Sequence, residues 1–131
     1  MPPDSPPPGF VLLESSPFVE QVGPIYRNGE GRLGVRVRPA HTNTMGSVHG
    51  GFLMTVVDIA AGQGARRAIG AGSVVRTVST NVDFLATAGV GSWLEADLTV
   101  DRIGRRTVFT SCRVTSGETV VARATAVLMR G

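Results

Sequence analysis

Apolar and polar residues alternate along much of the second half of the chain. The alternation is clearest over residues 93–101, where Leu94, Ala96, Leu98 and Val100 are separated by acidic and hydroxyl side chains. A period of two is typical of strands that bury one face. The same pattern, interrupted by turns that contain glycine, predicts strands over 33–37, 74–85, 93–101, 106–115 and 119–129.

One segment follows a helical pattern instead. Residues 51–69 are apolar nearly all round, and the glycines at 70 and 72 end the segment. A helix of this kind is buried on most sides, but a sheet covers only one of them. The other side must meet something else, and a second copy of the chain is the simplest partner. Together the elements predict an α+β fold, with this helix on one face of an antiparallel sheet.

The N-terminal segment has a different composition. Residues 1–15 are rich in proline and are predicted to be a disordered tail, so that a single domain spans 16–131. A short helix is predicted around Phe18–Val22, ended by Gly23-Pro24. The segment lacks the basic start and apolar centre of a secretory signal, and no apolar run in the chain has the length of a membrane helix. We therefore expect a cytoplasmic protein that has no membrane partner.

Composition narrows the possible chemistry. Lysine and arginine total 13, every one of them arginine, against 10 acidic residues, and the chain contains one cysteine and two histidines. Schiff-base chemistry needs a lysine, and a zinc site needs more cysteine and histidine than this. His41 is interpreted as structural and Cys112 as a core thiol. The small net charge of +3 and the scattered arginines favour small anionic ligands over nucleic acid. We therefore expect no metal, no separate cofactor and no nucleic-acid partner.

Asp58 lies in the middle of the predicted helix and is the only charged side chain between Arg38 and Arg66. A buried carboxylate without a partner is costly, so such a residue usually has a neighbouring polar group or a function. One interpretation is a structural aspartate that is hydrogen-bonded to Thr55 or Gln63. The other is a catalytic carboxylate, and the pattern alone leaves both open.

A second informative segment, His49-Gly50-Gly51, opens the helix. Free backbone N–H groups and the positive end of the helix dipole meet there, and glycine lets a ligand approach the backbone closely. Such a site can bind an anion or stabilise an oxyanion. Gly50 and Asp58 are about 12 Å apart along the helix, so they can act on one carbonyl carbon only from two antiparallel helices. The chemistry therefore also requires a dimer.

Residues 41–58, HTNTMGSVHGGFLMTVVD, resemble a segment of the hotdog-fold acyl-CoA thioesterases, specifically the phenylacetic-acid-degradation-type (PaaI-like) group. The segment TVSTNVDFL over 77–85 is similar to the strand after that family's helix, and VDRIGRRTVF over 100–109 to its basic hairpin. The resemblance covers about residues 17–129. The positions that match the family pattern are Asn43, Gly46, His49-Gly50-Gly51 and Asp58.

The resemblance implies a hotdog fold, in which an antiparallel sheet of five or six strands wraps round one long central helix. It also implies active sites at a dimer interface, with tetramers common. Asp58 would act as general base or nucleophile, the Gly50 N–H as oxyanion donor, and Asn43 would orient substrate or water. Thr77 aligns with a Ser or Thr that positions the water. Simple alternation places Thr77 on the face of Ser79, so it reaches the site only through a twist or bulge.

The resemblance also implies residues that bind substrate. Arg102, Arg105 and Arg106 lie on the basic hairpin and are candidate contacts for the phosphates of CoA, the alternative being a solvated turn. His49 and Gly51 belong to the loop that receives the substrate, and His49 is expected to be chiefly structural within it. Coenzyme A is thus part of the substrate rather than a cofactor.

The predicted activity is hydrolysis of an aryl- or fatty-acyl-CoA thioester to the free acid and CoA. One alternative is a non-catalytic acyl-CoA-binding module of the same fold, although such a module should lack the helix carboxylate. The other is a hotdog enoyl-CoA hydratase, although the Asp–His and His–Glu pairs of those enzymes are not found in the sequence. We expect self-association as a dimer and further as a tetramer.

Overall fold

The structure is a computed structural model that describes residues 5–131. One long helix, α2 (Gly50–Ile69), lies against a seven-stranded antiparallel sheet with the strand order β1-β2-β3-β5-β6-β7-β4. The remaining elements are β1 (Val11–Leu12), α1 (Pro17–Val22), β2 (Tyr26–Arg27), β3 (Leu33–Arg36), a 3-10 turn (Pro39–His41), β4 (Val75–Phe84), β5 (Trp93–Ile103), β6 (Thr107–Ser116) and β7 (Thr119–Arg130).

The predicted helix and all five predicted strands are present, but the order of the strands is not their order in the chain. The strand that follows α2 crosses the sheet and pairs with β7, which makes β4 an edge strand. The expected sheet of five or six strands has seven, because β1 and β2 extend the opposite edge by two residues each. The α+β class and the single long helix are confirmed.

The N-terminal segment departs from the predicted disordered tail over 1–15. Val11 and Leu12 pair with Arg27 and Tyr26, and the chain therefore joins the sheet before residue 15. The Phe10 ring also packs edge-on against Trp93, with 5.1 Å between the ring centroids. The proline-rich composition suggested disorder, but the backbone of β1 pairs with β2, and the Leu13 side chain that follows β1 is buried in the core. Residues 1–4 of the predicted tail lie outside the described residues.

Helix α2 is held against the sheet by its apolar residues. The helix must come close to β5, because a Cβ atom on Gly64 would lie 1.9 Å from Cδ2 of Leu98. The opposite side of α2 is not covered within the chain, and Met54, Asp58 and Arg66 are exposed there. The helix residues buried against the sheet are Phe52, Leu53, Val56, Val57, Ala60, Ala61 and Ala65.

None of the helices over residues 5–131 has the length and apolar character needed to cross a membrane. The cytoplasmic location stays a prediction.

His41 ties the loop before α2 to the end of α1. Its Nε2–H donates to the carbonyl of Val22, and its Nδ1 accepts from the backbone N–H of Arg38 at 3.0 Å. The ring stacks on Phe52, with 3.8 Å between centroids and 9° between planes. This network fits the interpretation of His41 as structural. Burial lowers the pKa of His41 below 6.5, and the nearby charge of Arg38 lowers it further, against the opposing effect of the Val22 hydrogen bond.

The lowered pKa of His41 predicts a loss of stability in mild acid. As pH falls below about 6.5, the unfolded chain binds a proton on this histidine while the folded chain still resists it. The free energy of unfolding should therefore fall as pH drops below about 6.5, and this loss should begin above the range in which most carboxylates titrate. Urea unfolding at a series of pH values measures this slope.

The His41→Gln variant should be less stable at pH 7 and should lack this part of the pH dependence. His49→Gln, which changes the other histidine, serves as the matched control and should keep it. An equally steep fall in His41→Gln would mean that another group causes the loss of stability.

Candidate active site

The side chains of Asp58 and Thr77 meet on the uncovered side of α2. The Thr77 hydroxyl donates to Oδ1 of Asp58, with 2.7 Å between the oxygens. Asp58 was expected to be buried, but both residues are exposed in the single chain. The partner of Asp58 is therefore neither Thr55 nor Gln63 but a residue of the next strand. The carboxylate has a second oxygen that is free to accept a proton or a hydrogen bond from another group.

A β-bulge in β4 brings Thr77 to this position. Thr77 lies opposite Leu128 on β7, whereas Ser79 lies opposite Val127, so Val78 has no residue facing it. Residues that face each other on antiparallel strands point to the same side of the sheet. Thr77 therefore shares the helix side with the buried Leu128, while Ser79 points the other way. The strand therefore has the bulge near its start that the sequence required for Thr77 to reach the site. As a result Val78 does not pack inward and is 60% exposed.

The start of α2 presents one free backbone donor. His49 is the N-cap residue, and its Nδ1 accepts from the N–H of Gly51 at 2.9 Å. The N–H groups of Phe52 and Leu53 both donate to the His49 carbonyl. Among residues 5–131 the N–H of Gly50 has no acceptor. Gly51 was expected to contact substrate, but its donor is occupied, which leaves the Gly50 N–H for a ligand.

Asn43 organises the loop that leads to the helix. Its Oδ1 accepts from the backbone N–H groups of Met45 at 2.9 Å and Ser47 at 3.2 Å. Gly46 follows with φ of +79°, a conformation that strongly favours glycine. Because its oxygen is already used, Asn43 could contact substrate or water only through its Nδ2–H groups.

Asp58 and Gly50 do not meet within one chain. The helix separates them by about 12 Å, as its rise per residue requires. The edge strand β4 nevertheless exposes several large apolar side chains. Val78 is exposed in the strand, and Phe84 and Leu85 at its end are each 51% exposed. An edge strand of ten residues with free backbone groups and such side chains is a common surface for pairing with another chain.

The three hairpin arginines lie where β5 turns into β6. Arg102, Arg105 and Arg106 are exposed, and none forms an ion pair within residues 5–131. Arg105 lines a cavity of about 590 Å³ together with Ser73 and Val74. Those two residues also line the cavity beside Asp58, so Arg105 lies near one end of it. The structure thus brings Arg105 to the region of Asp58, whereas Arg102 and Arg106 remain on the open hairpin.

Cys112 takes no part in the site. Its side chain is buried in the core between sheet and helix. Burial raises the pKa of this thiol to about 12, with a smaller contribution from the negative charge of Asp97. A thiol in this state is a poor nucleophile, which agrees with its interpretation as a core residue.

The cavity beside Asp58 has a volume of about 830 Å³ and is the largest of the described cavities. It runs along α2 and is walled by the start of β4 and by the segment between β1 and α1. Beyond Asp58, four helix residues line it, and of these the sequence had pointed only to Gln63, as a possible partner of Asp58. Their spacing of four residues along one helix face was the signal that could have found them. These residues are Ile59, Gly62, Gln63 and Arg66.

Comparison with known proteins assigns this chain and its fold to a family. The sequence profile of the thioesterase superfamily matches residues 45–123, which include the start of α2, Asp58 and Thr77. The chain belongs to the thioesterase superfamily, and it is a thioester hydrolase with the hotdog fold. A Pseudomonas aeruginosa protein with the name "putative esterase PA0474" is 35% identical over 126 residues, which are 92% of this chain and 94% of that protein.

Solved structures agree with this assignment. The phenylacetic acid degradation protein PaaI of Thermus thermophilus, in a mutant form, has a TM-score of 0.76 and 27% identity, covering 88% of this chain and 100% of that one. The BH2602 protein of Bacillus halodurans, solved with CoA, has a TM-score of 0.81 and 22% identity, covering 89% and 78%. The resemblance to the PaaI-like group is thereby confirmed, and the second likeness shows the fold alone.

The Thr77 hydroxyl predicts a measurable effect on hydrolysis. Thr77→Val removes the hydrogen bond to Asp58 but keeps the shape, and kcat for thioester hydrolysis should fall roughly tenfold as the carboxylate loses its orientation. Thr77→Ser keeps the hydroxyl and should restore most of kcat. The matched control is Ser79→Ala, which removes a hydroxyl from the opposite face of the same strand. A Thr77→Val enzyme as active as the wild type would show that the hydrogen bond has no catalytic importance.

Proposed function

We propose that the protein hydrolyses acyl-CoA thioesters at a site shared by two copies of the chain. The observation that carries the proposal is the Asp58 carboxylate, held by Thr77 at 2.7 Å beside an open cavity. Thioester hydrolysis needs a base or nucleophile and a donor for the oxyanion. The fold offers both in Asp58 and in the free N–H of Gly50. The CoA present in the Bacillus halodurans structure supports a CoA thioester as the substrate.

In the proposed reaction, Asp58 accepts a proton from water, and the hydroxide attacks the thioester carbon. The negative charge that develops on the carbonyl oxygen is stabilised by the Gly50 N–H at the positive end of the helix dipole. The tetrahedral intermediate then collapses, the C–S bond breaks, and the proton passes to the sulfur of CoA. In the alternative route Asp58 attacks the carbon directly as a nucleophile, the C–S bond breaks and CoA leaves as the thiolate. Water then hydrolyses the resulting anhydride, which releases the free acid, restores the carboxylate and leaves a proton for the thiolate. Thr77 holds one carboxylate oxygen in either route, and the Nδ2–H groups of Asn43 orient substrate or water.

Self-association is part of the proposal because the site is incomplete in one chain. Pairing of two copies through the exposed edge strand β4 would bury the apolar residues there. It would place the Asp58 of one copy near the Gly50 of the other if their α2 helices run antiparallel about a two-fold axis. A further pairing of dimers into a tetramer is compatible with this arrangement. The hairpin arginines, with Arg105 foremost, would attract the phosphates of CoA.

Removal of the carboxylate is the direct test of the proposed reaction. In Asp58→Asn the side-chain oxygen can still accept the hydrogen bond from Thr77, but the amide cannot act as a base. The kcat should therefore fall by about a hundredfold to ten-thousandfold. Release of free thiol from a panel of aryl- and fatty-acyl-CoAs measures this. Binding of the panel without thiol release by the wild type would instead favour a non-catalytic acyl-CoA-binding module. Near wild-type turnover by Asp58→Asn would refute the assigned role.

The shared site can be tested by mixing two inactive variants. Gly50→Pro removes the oxyanion donor, and proline is well tolerated at the first position of a helix. His49, with φ of −70° and ψ of 136°, already has a backbone conformation that suits a following proline. A Cβ atom at position 50 would lie 3.1 Å from the ring of Phe84, so this half-exposed side chain must shift slightly. With that shift Gly50→Pro should fold, and it should lose about a hundredfold to a thousandfold in kcat.

When Gly50→Pro and Asp58→Asn chains are refolded together, mixed dimers contain one site with both groups intact. With random pairing, about a quarter of wild-type activity should return, because half of the dimers are mixed and one of their two sites works. Sites built within single chains would leave every site defective, so no activity would return. Light scattering on each variant checks that self-association is preserved.

A further inference from the structure

The cavity beside Asp58 extends along α2 towards the C-terminal end of the helix. Asp58, Gly62 and Arg66 lie at intervals of four residues and all line it. Arg66 also lines an adjoining cavity of about 680 Å³, which shares Leu13, Glu14 and Gln63 with the first. Arg66 is about 12 Å from Asp58 along the helix. The two cavities together offer room for an extended group that begins at the catalytic carboxylate.

The two adjoining cavities form a path along α2, and Gly62 keeps this path open. A glycine inside a helix lowers stability by about 0.5–1 kcal/mol relative to alanine, so it needs a reason. At Gly64 the reason is the close approach of Leu98, which leaves no room for a side chain. At Gly62, in contrast, an added Cβ atom would have no heavy atom within 4 Å. No packing contact within residues 5–131 requires a glycine at 62. The free space in front of it is the cavity.

The far end of this path is positively charged. Arg27, Arg66 and Arg67 line the adjoining cavity, and Glu14 is the only carboxylate among its lining residues. Arg67 donates to the carbonyl of Gly29 at 3.2 Å, whereas Arg27 and Arg66 make no side-chain hydrogen bond or ion pair within residues 5–131. Two guanidinium groups are thus available to an anion, and a carboxylate is an acceptor that matches their planar geometry.

Arg66 and Arg105 reach the cavity beside Asp58 from different elements of the fold. Arg66 belongs to α2 and lines the cavity next to Gln63, where the adjoining cavity begins. Arg105 belongs to the hairpin and lies beside Ser73 and Val74, at the wall formed by the start of β4. A CoA thioester has CoA on one side of the reacting carbon and the acyl group on the other. If the hairpin arginines receive the CoA phosphates, the acyl group extends towards Arg66.

We infer that the preferred acyl group ends in a carboxylate, so that the substrate is the CoA monothioester of a dicarboxylic acid. The inference rests on the proposed hydrolysis of acyl-CoA. Arg66 binds the terminal carboxylate, Arg27 and Arg67 add to the positive potential around it, and the carbon chain lies along Gly62 and Ile59. The carboxylate is not part of the reaction and acts only in substrate selection.

The test compares pairs of substrates that have the same number of carbons. Adipoyl-, suberoyl- and sebacoyl-CoA carry a terminal carboxylate, and hexanoyl-, octanoyl- and decanoyl-CoA are their neutral counterparts. Thiol release by the full chain gives kcat/KM for each. At the chain length that reaches Arg66, kcat/KM should be about tenfold higher for the carboxylate substrate than for its neutral counterpart.

Arg66→Gln should reduce this ratio by roughly fivefold to tenfold, because it removes the charge that selects the carboxylate. Arg113→Gln is the matched control. Arg113 is an exposed arginine of β6 that lines neither cavity, and both rates should stay at wild-type values in this variant. Gly62→Leu fills the path and should lower kcat/KM for sebacoyl-CoA more than for the shortest substrates, with self-association intact by light scattering.

Several outcomes would overturn the inference. Equal or better hydrolysis of the neutral series would leave the proposed function in place but remove the preference for a carboxylate. An equal loss for both series in Arg66→Gln would assign Arg66 to CoA instead. An unchanged ratio together with reduced stability would mean that Arg66 only compensates the helix dipole. Loss of self-association in Gly62→Leu would show that a second copy fills the space. Absence of hydrolysis in both series would refute the proposed function and this inference with it.

Discussion

The packing of α2 against the sheet is the interaction on which the other features of this protein depend. Phe52, Val56 and Ala60 recur along the buried side of the helix and meet apolar residues of the strands. Burial of one such large apolar side chain contributes about 1.5–3 kcal/mol, so this side of the helix cannot turn away from the sheet. The rotation of the helix then decides what faces outward. Asp58 lies on the uncovered side because its position in the helical repeat differs from that of the buried residues.

The same packing separates the two chemical groups of the site. A straight helix holds Gly50 and Asp58 about 12 Å apart, and no local rearrangement can shorten that distance. A single chain therefore has a base without an oxyanion donor beside it. In the proposed pairing, β4 and the uncovered side of α2 would bring the donor of one copy to the base of the other. Self-association and chemistry would then be one requirement rather than two.

The arginine side chains around the site would determine which substrates the proposed enzyme prefers. All the bases of the chain are arginine, whose charge does not change over the physiological pH range. Some arginines form ion pairs within the fold. Arg32, at the start of β3, pairs with Glu95 and Asp97 on the neighbouring strand β5. Within residues 5–131, Arg66 and Arg105 have no such partner. Arg66 lines the cavity beside Asp58, and Arg105 lines a cavity that adjoins it. Unpaired positive charge on two walls around Asp58 suits the proposed substrate, which is anionic at both ends.

The sequence by itself determined the elements and the residue types of the site. The periods of two and 3.6 predicted five strands and α2, because both follow from backbone geometry alone. Asp58 was recognisable as the one charged residue in an apolar helix, and the His49-Gly50-Gly51 segment as its start. The tertiary structure decided the relations between these parts. The strand order, the ordering of Val11–Leu12 on the sheet edge and the exposure of Asp58 depend on contacts between residues far apart in the chain. The bulge at Val78 shows why such relations are not readable from local sequence. Simple alternation predicts the wrong face of the sheet for Thr77. Only the pairing of β4 with β7 inserts the extra residue, which turns the Thr77 hydroxyl towards Asp58.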